Sequence, residues 1–111
     1  MQLPPRSELN RMHAELCTAV ADPIRIAILY ALSDGPRYVS EIREQLDLPQ
    51  STVSRHLAVL RATGIVADER QGRKVRYHLA DHRVIEAIDL LRAVMADRVQ
   101  ARARSIKSAQ E

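Results

Sequence analysis

The most constraining stretch of this 111-residue chain is residues 39–80, where apolar spacing changes from helical to alternating across one glycine. Val39, Ile42 and Leu46 recur at helical intervals, and Val53, Leu57 and Leu60 do so again beyond Asp47-Leu48-Pro49. The spacing predicts helices over Val39–Leu46 and Gln50–Thr63 with a tight turn between them. Gly64 suits the left-handed end of the second. Residues 66–80 then alternate around Gln71-Gly72-Arg73, with Val75, Tyr77 and Leu79 on one side and Lys74, Arg76 and His78 on the other. That predicts a hairpin, apolar inward and basic outward. Helix, turn, helix and basic hairpin make a winged helix-turn-helix, a mainly α (α+β) fold. Such a fold offers one helix to a DNA major groove and its wing to the flanking backbone.

Turning Val53, Leu57 and Leu60 inward leaves Ser51 and Arg55 outward, with Thr52 and Ser54 on the flanks. Arginine can bridge guanine edges, and hydroxyls reach bases or phosphates. A helix facing only solvent usually carries more Glu and Lys, yet residues 50–60 contain no acid. His56, at the edge of the apolar stripe, is expected to pack or to bond a neighbour rather than to read a base. The net charge of +3 is uneven: residues 50–79 carry +4, residues 1–49 carry −2 and residues 80–111 carry +1. Positive charge therefore collects where phosphate contact is expected, with Arg73 at the wing tip in reach of a phosphate or a minor groove.

Upstream, a first helix is expected from Ser7, as N-cap, to Val20, with Leu9, Met12 and Leu16 on one stripe. Asp22-Pro23 restarts the chain as cap and first helical residue. The run IRIAILYAL that follows is apolar almost all round, as the buried centre of a domain would be. Gly35-Pro36 should end it. A last helix is expected over about Asp81–Arg98, with Val84, Ile88, Leu91 and Met95 on a stripe that Ala87, Leu90 and Val94 widen past half the circumference. One small core cannot cover so broad a face. A second copy would, helped by the first helix. A dimer also sets two recognition helices ~34 Å apart, the spacing of a palindromic duplex site. The organisation expected is a tail over residues 1–7, one winged domain over 8–98, and a helix extension or disordered tail over 99–111.

Composition removes other classes. No run approaches a membrane span, and the N-terminal residues lack a signal peptide's apolar core, so a cytoplasmic location is expected. The lone Cys17 rules out a disulfide framework within the chain. Three tyrosines are the only aromatics, too few for base-stacking platforms. There is no phosphate-cradling glycine loop and no nucleophile motif, so neither an enzyme nor a cofactor is expected. Thr52 and His56 stand one helical turn apart, but no acid lies nearby to orient the imidazole. A winged helix used only as a protein-interaction module is the alternative to a DNA-binding regulator.

The stretches AVADPIRIAILYAL, LDLPQSTVSRHLAVLRATGIV and ERQGRKVRYHLAD, in that order over residues 19–81, resemble the ArsR/SmtB family of bacterial winged-helix repressors. The resemblance implies a homodimer with five helices and a two-stranded wing, joined through its first and last helices. It implies a repressor of its own operon that lets go of DNA when an inducer arrives. By position it implies that Gln50, Ser51, Thr52, Ser54 and Arg55 face DNA from the recognition helix. From the wing it implies Arg70, Gln71, Arg73, Lys74 and Arg76. The dimer contacts it supports are Leu9, Met12, Leu16, Val84, Ile88, Leu91, Val94 and Met95.

The chain also departs from that family. Pro49 stands where a capping Ser is common. The family's thiolate metal site falls on Tyr38 and Ser40, which supply no soft ligand. Its last-helix site keeps Asp81 but has Arg83 and Val94 at the His positions and Asp97 at the end, and neither a guanidinium nor an alkyl group ligates zinc. Both sites are therefore expected to be absent. His13 and Cys17, one turn apart on the first helix, are a weak pair for a metal, and Cys17 alone for redox sensing. A buried small hydrophobe beside an incidental His explains them as well. An organic ligand, a protein partner or no inducer at all stay open.

Overall fold

The computed structural model describes residues 1–110. Helix α1 is made of three consecutive stretches: Arg6–Met12, a π-helical turn His13–Cys17, and Thr18–Val20. Then come α2 (Pro23–Ala31), β1 (Arg37–Tyr38), α3 (Val39–Leu46), α4 (Gln50–Thr63), β2 (Val66–Gln71), β3 (Lys74–Leu79) and α5 (Arg83–Gln110). The strands form one antiparallel sheet in the order β1-β3-β2.

Local chemistry explains most boundaries. At α2, Asp22 Oδ1 accepts from the amides of Ile24 (2.7 Å) and Arg25 (3.4 Å), with Pro23 at the first helical position. Asp47 closes α3 in the left-handed region (φ 53°), and Gly64 closes α4 there (φ 84°). Gln71 pairs with Lys74, so the wing turns on two residues, Gly72 and Arg73. Gly72 comes first with φ 64°, the pattern of a type II′ hairpin.

Burial raises the Asp22 carboxyl pKa. The two amides, together with nearby His56 and Arg25, outweigh burial and hold it below its usual value. A depressed carboxylate stabilises the fold above its unfolded pKa and loses that effect as pH falls through its folded pKa. Asp22→Ala is therefore expected to lower the melting temperature at neutral pH. Its deficit against the wild type should shrink as pH falls through the carboxylate range in a series of thermal melts.

The core sits where α2, α3 and α4 meet under the sheet. Ile28, Leu29 and Leu32 come from α2 and its end, Ile42 from α3, Val53, Leu57 and Leu60 from α4, and Val66 and Leu79 from the strands. Ile88 of α5 and Ala19 of α1 close its edges.

Three expectations are corrected. Helix α1 begins at Arg6 with Pro5 at its N-cap. The Pro5 carbonyl accepts from Glu8 and Leu9, so Ser7 lies inside the first turn rather than capping it. Helix α2 ends at Ala31 instead of running to Gly35, because Leu32–Gly35 folds into a turn that leads into β1. Strand β1 itself makes the sheet three-stranded, with Arg37 opposite Tyr77 and Tyr38 opposite Arg76. Two residues are too few to show alternation; the strand exists because β3 offers a free edge. Of the two readings for the C-terminal stretch, the described residues take the helical one: α5 runs on through Arg98 to Gln110, and Glu111 lies outside the described residues. Ala, Arg, Gln and Lys in that stretch are strong helix formers that need no apolar stripe.

Candidate nucleic-acid interface

Helix α4 is gripped from behind by its apolar stripe: Val53, Leu57 and Leu60 are fully buried. Its opposite face carries Gln50, Ser51, Ser54 and Arg55 exposed, with Thr52 half-buried on the flank. Its first turn holds no acid, and Pro49 at the N-cap gives no side-chain cap, so the terminal amides keep their positive end unscreened. Among the described residues, Arg55, Arg70 and Arg73 make no ion pair. Their charge is free for an external anion.

The wing is held in place against this helix. Arg61 near the end of α4 reaches Asp68 on β2 at 3.0 Å. At the wing's other strand, Lys74 Nζ lies 5.3 Å from the Tyr38 ring centroid, within cation–π range. A cleft of about 390 Å³ is lined by Tyr38, Val39, Ser40, Gln50, Lys74, Val75 and Tyr77. The start of α4, the start of α3 and the outer strand face of β3 thus open onto one space. Tyr38 and Ser40 were weighed in the sequence only as metal positions. Their place beside Gln50 and Lys74 depends on β1, which no local pattern announces.

Arg76 differs from expectation. Its cross-strand neighbours are Glu69 and Tyr38. It is half-buried, with Nη2 3.5 Å from Glu69 Oε2, and its Nε is buried without a partner. The central position of β3 brings neighbours to both sides, so Arg76 belongs to the sheet and not to a free basic face. His78, opposite Ala67 of β2, is half-buried as well.

The apolar stripes divide. Leu9, Met12 and Leu16 on α1 are exposed, as are Leu91, Val94 and Met95 on α5. Leu90, Val99 and Ile106 extend the uncovered α5 surface. Ile88, by contrast, is buried in its own subunit's core, and Val84 is packed half-buried against that core. Ile88 therefore belongs to the chain's own core, while Val84 keeps part of its surface uncovered beside Leu16 and Ala87.

At the last-helix metal positions, Asp81 and Arg83 bond each other. Asp81 Oδ1 accepts from the Arg83 amide at 2.9 Å, and Oδ2 accepts from Arg83 Nη2 at 2.7 Å. The Arg83 side chain first and its amide second lower the Asp81 pKa to about 2. This carboxylate anchors the start of α5. His13 and Cys17 bound the π-helical turn of α1 and are exposed. Among the described residues no three His, Cys, Asp or Glu side chains are grouped to hold a metal ion. No helix among them is long and apolar enough to cross a membrane.

Residues 22–68 match the model of the bacterial regulatory protein, arsR family. The chain is 44% identical over 85 residues to the transcriptional repressor SmtB of Mycobacterium tuberculosis, spanning 77% of this chain and 63% of that protein. It is 44% identical over 84 residues to the transcriptional regulator CmtR of Mycobacterium bovis, spanning 75% of this chain and 71% of CmtR. The chain belongs to the ArsR family. Among solved structures, a homodimeric winged helix-turn-helix DNA-binding domain from Mycobacterium bovis superposes with a TM-score of 0.75 at 26% identity, covering 90% of this chain and 93% of that one. The match to the family model begins at the cap of α2 and ends inside β2. It contains all of α3 and α4, the pair that gives this family member its helix-turn-helix. The named relatives are regulators and repressors of transcription, not enzymes.

Proposed function

We propose that this chain is a homodimeric, sequence-specific DNA-binding repressor that reads a palindromic duplex through α4 and the wing and gives it up to an inducer. One observation carries the reading. An acid-free helix face, with Arg55 exposed and unpaired, stands beside a hairpin whose Arg70, Arg73 and Lys74 are also exposed. Such a surface is attracted to phosphates and can place one guanidinium at a base edge. The uncovered apolar residues of α1 and α5 supply a surface for the second copy, which doubles that reading head. The relatives named as repressors support the same sign of regulation. The inducer is not assigned to a metal, since Tyr38, Ser40, Arg83 and Val94 stand where the family's ligands would be.

Selecting bound duplexes from a random pool tests the reading. A palindromic consensus is expected, with affinity falling steeply as salt rises. An interaction module without sequence reading would enrich no duplex. Two variants then separate the contacts. Arg55→Ala is expected to cost about 1–3 kcal/mol on the selected duplex and to relax preference at one base position per half-site. Lys74→Ala should weaken selected and scrambled duplexes alike and make the salt slope shallower by roughly one per half-site. Equal behaviour of both variants on both duplexes sinks the assignment of α4 as the reading helix.

A further inference from the structure

His56 lies on α4 immediately after Arg55, yet it is only 6% exposed, the one buried polar side chain of the described residues. A polar ring in that position costs free energy unless it is bonded, and an apolar residue would fill the place as well. Its partner is Arg25 of α2, whose Nη1 lies 3.3 Å from His56 Nδ1. Arginine has no acceptor, so Nδ1 receives the hydrogen bond and the neutral ring carries its proton on Nε2. The same guanidinium donates twice to the Thr18 carbonyl, from Nε at 3.1 Å and from Nη2 at 2.9 Å. Thr18 begins the final stretch of α1, directly after the part that bears Leu9, Met12 and Leu16. Asp22 completes the arrangement by fixing the amide of Arg25 itself at 3.4 Å.

One rigid, planar group thus bonds three helices that are separate in sequence. Two of its nitrogens grip the end of α1, and the third holds a residue next to the outward-facing arginine of α4. We infer that Arg25 is a positioning residue for DNA binding, which uses His56 as its handle to set the attitude of α4 relative to α1. This rests on α4 being the reading helix. A fork of fixed donors transmits position in a way that a flexible ammonium cannot.

The test uses the full chain and three single variants. His56→Leu keeps bulk and removes the acceptor. His56→Asn loses bulk but offers an amide oxygen near the place of Nδ1. Arg25→Lys keeps charge and loses the fork. Each is measured for affinity to the duplex selected by the wild type, for dimer fraction, and for deuterium uptake of the α4 amides without DNA. His56→Leu and Arg25→Lys are each expected to weaken the duplex about tenfold and to raise α4 uptake, with the dimer fraction unchanged. Their double variant should be no weaker than the worse single, because both break one linkage. His56→Asn should stay within about threefold of wild type. Tight binding by the leucine variant with weak binding by the asparagine variant would mean that His56 only fills space, and the inference falls. Additive losses in the double variant overturn it as well. Should the wild type select no duplex, the functional reading fails, and the order of α4 uptake among the variants decides the linkage by itself.

Discussion

Leu57→Ala is expected to lower the free energy of unfolding by about 2–5 kcal/mol, the range for emptying a closed core site of a leucine side chain. Leu57 is fully buried on the inner face of α4, in the cluster that also holds Ile28, Ile42 and Val53. Three helices meet there, and none can move inward without disturbing the other two, so the cavity should stay largely open. A single small core leaves little reserve against such a loss. Urea titrations followed by circular dichroism give the value directly. Operator affinity of the fraction that stays folded should fall less than stability does, because the side chain touches no candidate contact. A loss under about 1 kcal/mol would mean that α4 packs elsewhere.

Replacing Leu91 and Met95 together by glutamate is expected to abolish the dimer and, with it, tight operator binding. These side chains are 60% and 66% exposed in the single subunit, so the change leaves the core intact. In a dimer they would be covered, and buried unpaired carboxylates cost far more than the interface returns. A monomer keeps one reading head, and losing the linked second head removes roughly 10²- to 10⁴-fold in apparent affinity. Sedimentation measures the assembly state, and titration with a full operator against a half-site measures the rest. A dimeric double variant with unchanged operator affinity would remove α5 from the interface. Ile88→Glu would instead test folding, since that side chain belongs to the subunit's own core.

The outward face of α4 and the turn of the wing are legible in the sequence because they rest on local repetition. The interval linking Val53, Leu57 and Leu60 set which face of α4 turns away from the core. Gly72 and Arg73, between two alternating runs, set the turn of the wing. The breadth of the α5 stripe pointed to a second cover, but periodicity cannot say which part of a broad stripe meets the subunit's own core. Only packing separates Ile88 from Leu91 and Met95. Alternation assigns Arg76 a face but not its neighbours, which come from β1 and β2. The Arg25–His56 contact joins residues 31 positions apart, and no spacing rule links them.

The order of side chains along the chain was sufficient for the extents of α3 and α4, the two-residue turn of the wing and the acid-free outer face of α4, since each depends on residues within one or two turns of one another. Tertiary contact alone decided the third strand, the burial of Arg76 and the fork that binds α1 to α4. Each of those exists through a partner far away in the chain. The free energy that selects such partners comes from closing a shared core, and no short segment carries that information.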